Sequence, residues 1–154
     1  MIPAKIKPRN KDTLLQMVKT AVGSKMFQTA YVEVAGRRLD LTKKGELSCA
    51  FFVSSILAIF GLIDRLHLTV EGTIKAMEKA GWQKTKKLEP GTIIIWDSTP
   101  NFKHQHIGFY LGNKKAISNI YQMKVPGKHH YTFGSEKSKT YRPIITIYHH
   151  SDLK

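Results

Sequence analysis

One thiol and seven imidazoles are the groups in this 154-residue chain best suited to covalent chemistry. Cys49, the only cysteine, opens an apolar run in the stretch KGELSCAFFVSSILAIF over 44–60. A thiol in the first turn of a helix feels unpaired N–H groups and the positive end of the helix dipole. Both favour the thiolate and can lower a cysteine pKa from ~8.5 into the ~3.5–7.5 range. Such a thiol is a candidate nucleophile, and it needs a base that reaches it in space. The competing expectation is a small buried hydrophobe, since free cysteine is among the most buried residue types. His106 is the candidate base. It opens the alternating run HIGFYLG, where a strand would hold its ring and Gly108 would leave room for an approaching chain. His104 lies two residues earlier in a loop, His67 follows the apolar run in a connection, and the pairs at 129–130 and 149–150 lie near chain ends or sheet edges. His104, His106 and His129 have a spacing that two ligands on one strand could use for a metal, but no carboxylate is suitably placed, so neither a metal nor a cofactor is expected.

The elements that must position these groups follow from spacing and punctuation. Gly45 allows a turn, Ser48 is a good N-cap residue, and a helix from Cys49 to Phe60 would stop at Gly61. That helix is apolar on nearly every face, as a buried central helix is. Leu14, Met17, Val18 and Ala21 recur at helical spacing between Asn10 and Val22, and Thr69 caps a further helix that closes at Gly81. Tyr31 to Leu41 reads as a short hairpin about Ala35-Gly36. From Pro90-Gly91 onward the pattern is β, with strands expected over 92–96, 106–111, 116–121, 129–133 and 142–150. Helices followed by strands give an α+β fold with an antiparallel sheet. The length fits one domain over 1–154, with 1–9 as an extended basic arm.

Composition narrows the partners without choosing one. The 25 Lys and Arg against 11 Asp and Glu give a formal charge of +14, enough to attract nucleic acid, anionic lipid or an anionic envelope polymer. One cysteine excludes an intramolecular disulfide and leaves the compartment open. The first 23 residues lack the apolar core and cleavage site of a signal peptide, and the run from Cys49 to Phe60 is too short to span a bilayer. A wall hydrolase would work in the cell envelope or outside the cell; otherwise the chain would be cytoplasmic.

Helix-borne Cys49, then PGTIIIW ending at Trp96, then HIGFYLGNKKAISN, resembles the NlpC-type papain-like cysteine peptidases. Those enzymes place a cysteine at a helix N-terminus ahead of a PGDLVFW-like strand and an HVGIYLGNGK-like hairpin. The likeness covers roughly residues 45–121. It implies a papain-like core, a central helix carrying the nucleophile packed on an antiparallel sheet, with Cys49 as nucleophile and His106 as general base. Where the family has Asp-Cys-Ser-Gly, this chain has Ser48-Cys49-Ala50-Phe51. A third polar group, accepting the second ring N–H of the histidine, should come from the strand after the hairpin. Counting as the family does gives Ser118, while Asn119 is the better acceptor chemically. Loop parity decides: a two-residue turn at Gly112-Asn113 puts Asn119 on the face of His106, and a three-residue turn through Lys114 puts Ser118 there. Asn119 is the preferred expectation, with His129 and His130 outside candidates if the later strand folds back.

The function expected from the resemblance is cleavage of an amide bond in a peptidoglycan peptide. The same dyad could serve an acyltransferase or a deconjugating enzyme. A reading from another class is a non-catalytic basic module for nucleic acid or an anionic polymer, suggested by aromatic and basic residues interleaved over 121–142.

Overall fold

Helices form where apolar residues recur at helical spacing and end where glycine releases the chain. In the computed structural model, which describes residues 4–134 and 141–154, α1 (Asn10–Thr20) buries Leu14 and Val18. α2 (Cys49–Ile59) buries Ala50, Phe52, Val53, Ser54, Ile56 and Leu57. α3 (Val70–Lys79) is capped as its sequence predicts, with the Thr69 hydroxyl accepting the N–H of Gly72 at 3.0 Å. Gly61 and Gly81 follow α2 and α3 with φ of 66° and 97°, a backbone that glycine adopts without a Cβ penalty. The expected cap on α2 is absent: Ser48 makes no side-chain bond to the helix, and its hydroxyl is buried without a partner. Of the expected arm, residues 4–9 are irregular and exposed, and 1–3 lie outside the described residues, as do 135–140 of the basic and aromatic stretch.

β1 (Tyr31–Val34) and β2 (Arg37–Asp40) make the expected hairpin. The other strands are β3 (Gln83–Thr85), β4 (Ile93–Trp96), β5 (His106–Gly112), β6 (Lys115–Ile120), β7 (Val125–His130) and β8 (Ile144–His149). They form one antiparallel sheet in the order β3-β8-β4-β5-β6-β7. β4 is apolar at every position because the sheet is covered on both faces. Ile93 and Ile95 join the helical core with Phe52, Ile107, Phe109 and Ile117. Ile94 and Trp96 face the other way and pack with Tyr110, Ala116, Tyr131 and Phe133. The rings of Phe27, Phe52 and Phe109 meet edge to face at 5.0 and 5.6 Å, tying α2 to β5.

Two strands depart from expectation. β3, absent from the sequence reading, is a three-residue polar edge strand held by backbone pairing to β8. β7 begins at Val125 and ends at His130, whereas the sequence pattern predicts 129–133. Pro126 argues against a strand in sequence, yet an edge strand with a free side tolerates the missing N–H.

Candidate active site

The candidate site is built where the N-terminus of α2 meets the start of β5. Gly45 precedes the nucleophile helix with φ of 97°, and a Cβ there would run into the carbonyl of Lys124. The loop before Cys49 is thereby pressed against the β6–β7 turn. Asn119 pins it further, donating from Nδ2 to the carbonyl of Gly45 at 2.7 Å.

The half-buried Cys49 sulfur lies against the sheet. The peptide N–H groups of Ile107 and Ala50 point at it, and the charge of Arg142 acts in the same sense, all favouring the thiolate. Burial outweighs them and pushes the thiol above its ordinary pKa. The acidic thiol expected from a helix N-terminus is therefore corrected, because desolvation of the anion is the larger effect. Arg142 donates from Nε to the carbonyl of Asp97 at 2.8 Å and from Nη2 to the carbonyl of His104, with its guanidinium over the ring of Phe102.

His106 adjoins the peptide that faces the sulfur. Its Nε2 lies 2.9 Å from the Ser118 hydroxyl, which lies 2.7 Å from Nε2 of His129. His129 Nδ1 in turn lies 2.7 Å from the carbonyl of His130. Trp96 and Phe133 close over His106 at 5.5 and 5.6 Å, and Phe133 stacks on His129 at 3.8 Å. In this half-buried aromatic enclosure desolvation drives His106 well below the ordinary imidazole range and His129 down to about 4. No direct hydrogen bond joins Cys49 to His106 among the described residues, and Nδ1 of His106 takes no partner there. A raised thiol and a lowered imidazole leave both groups neutral at rest.

Ser118, and not Asn119, stands beside His106. The turn is the two-residue Asn113-Lys114, both with positive φ, but a bulge between Tyr110 and Gly112 adds one residue to β5. Gly108 consequently pairs with Ser118, and alternation sends Asn119 to the helix side. Its Oδ1 is buried without a partner. His129 reaches the network through the next register, Ala116 to His129, which puts it diagonal to Ser118 on one face. His130 bonds Thr132 instead, through Nδ1 at 2.7 Å. His104 is exposed and contributes only its carbonyl. Among the described residues no three metal-ligating side chains cluster.

The buried imidazoles predict acid lability. A histidine whose folded pKa lies below its unfolded value near 6.5 leaves the unfolded state holding more protons between the two values. Stability is then complete above pH 6.5 and falls as the pH drops towards about 4, by at most ~3 kcal/mol for His129. Urea midpoints at pH 7 and pH 4.5 check this: the loss should shrink in a His129→Gln variant, and an equal loss in both proteins would contradict it.

No protein-family model and no curated protein matches the sequence. Among solved structures the fold is similar to that of NlpC2 from Trichomonas vaginalis, with a TM-score of 0.57 and 17% identity over 94% of this chain. The chain spans 47% of that protein's length. The class is thus a distant NlpC-like, papain-like α+β fold.

Proposed function

We propose that this protein is a cysteine hydrolase that cleaves an amide bond in a peptidoglycan-type peptide, with Cys49 as nucleophile and His106 as general base. The single observation that carries the reading is the position of the Cys49 thiol at the start of α2, packed against the sheet with the peptide N–H groups of Ala50 and of Ile107, the residue after His106, turned towards it. Nδ1 of His106 takes the thiol proton as sulfur bonds to the carbonyl carbon. Unpaired N–H groups in the first turn of α2 favour the developing oxyanion. The carbon–nitrogen bond then breaks, and the leaving amine takes the proton from His106. Water attacks the thioester, giving a proton to His106, and the thiol is restored as the carbon–sulfur bond breaks.

The peptide substrate is proposed from the HIGFYLG hairpin and the basic surplus, which suits an anionic wall polymer. Lys103, Lys114, Lys115 and Lys128 are exposed on and beside β5 to β7. Exposed charges act through a field screened over ~8 Å at physiological salt. Added salt should therefore weaken polymer capture and leave turnover of a small neutral peptide amide nearly unchanged. Equal salt sensitivity of both would place the lysines in the bond-breaking step. The direct test incubates the protein with purified peptidoglycan and weighs the released fragments by mass spectrometry. New amine and carboxyl ends at one amide support the reading, and an unaltered polymer overturns the substrate assignment.

A further inference from the structure

From the chain of hydrogen bonds that ends on the carbonyl of His130, we infer that His129 is a positioning residue that fixes the tautomer of His106 through the Ser118 hydroxyl. The inference rests on the proposed role of His106 and adds to it a residue from a third strand. A carbonyl oxygen can only accept, so the 2.7 Å contact from His129 Nδ1 to the His130 carbonyl puts a proton on Nδ1. In a neutral imidazole the other nitrogen is then an acceptor, and the half-buried ring of His129 is neutral at pH 7. The Ser118 hydroxyl has one proton, and at 2.7 Å it donates it to His129 Nε2. Ser118 Oγ can then only accept from His106, so Nε2 of His106 carries its proton. The lone pair is left on Nδ1, the nitrogen without a partner among the described residues.

Serine alone could not impose this order. A hydroxyl is both donor and acceptor, and without His129 it could turn its proton towards His106 Nε2. The ring proton would then move to Nδ1, and the base would meet the thiol with its occupied nitrogen. His129 removes that choice, and the His130 carbonyl removes it for His129. The charged and titratable groups about His129 are His106 on β5, Lys115 on β6, and His130 on its own strand; both Lys115 and His130 oppose protonation of its ring. Protonated His129 would reverse the chain, turning the hydroxyl towards His106.

The test is nitrogen NMR of the imidazoles at pH 7 in the wild-type chain and in the His129→Gln and His129→Leu variants, with turnover followed in parallel. Wild type should show His106 protonated on Nε2 and His129 on Nδ1. In His129→Gln the side-chain amide can still accept from Ser118, so the His106 tautomer should be kept. In His129→Leu no acceptor remains at this position, and His106 should shift towards Nδ1–H, with kcat lowered roughly 10²-fold and KM little changed. A wild-type His106 protonated on Nδ1 overturns the inference whether or not the variants fold. So does an unchanged His106 tautomer in the leucine variant. If the tautomers are as derived but no amide is cleaved, the proton order stands and the hydrolase reading alone falls.

Discussion

Replacing Cys49 by alanine is expected to abolish amide hydrolysis, with turnover at the level of the buffer, while the fold persists. Among the described residues no other side chain is placed to replace it, since the chain has one thiol and the hydroxyl bonded to His106, that of Ser118, is already committed to two imidazoles. The structural cost is small. The half-buried thiol heads α2 at the margin of the core that holds Phe52 and Leu57 and makes no disulfide, so its removal should cost ~1 kcal/mol. Serine at the same position separates packing from chemistry: it keeps size and hydrogen bonding but lacks the acidity and softness of sulfur. Both variants should unfold near the wild-type urea midpoint. Residual hydrolysis above about a tenth of wild type in Cys49→Ala would remove Cys49 from the mechanism.

The second large effect separates two neighbouring residues. Ser118→Ala should lower kcat by about 10²-fold, because it deletes the link between His106 and His129, and it leaves Nε2 of both rings without a partner at a cost of ~1–3 kcal/mol. Asn119→Ala should cost similar stability with a much smaller loss of kcat. Its amide anchors the loop ahead of Cys49 through the Gly45 carbonyl, and its loss leaves that carbonyl without its partner at a cost of ~1–3 kcal/mol. Activity per folded molecule should then fall less than in the serine variant. Measuring kcat and the urea midpoint on both proteins should give lowered midpoints in both and the large kinetic defect in Ser118→Ala alone. A kinetic defect confined to Asn119→Ala would reverse the assignment of the two strand faces.

The same two residues also locate what the sequence could not disclose. Helical spacing, Gly61, Gly81 and the Thr69 cap are local signals, so the helices are legible with little error in their ends. The Ser118 and Asn119 alternative turns on one residue of parity. The deciding bulge beside Gly112 has no local signature, since a Gly-Asn pair reads equally well as the turn itself. β3 and β7 are held by pairing with β8 and β6, and pairing partners are not written in a strand's own residues. His129 illustrates the same limit at the site: the β6–β7 register carries it to Ser118, though Pro126 in its strand argues against a strand. Thiol acidity is misread from sequence for a different reason. The helix N-terminus is visible there, whereas the burial that outweighs it comes from the sheet packed against α2.

Alkylation of Cys49 by iodoacetamide, followed by intact mass in the folded protein as pH is varied, tests most directly whether Cys49 and His106 act as a pair. Transfer of the thiol proton to His106 is internal, so the wild-type rate should be nearly flat with pH across the neutral range. In His106→Ala the proton must go to solvent, and the rate should rise about tenfold per pH unit until the thiol is titrated. A flat wild-type profile and a steep variant profile are expected. Two coincident steep profiles, or a Cys49 that is inert until the protein unfolds, would contradict the pairing of Cys49 with His106.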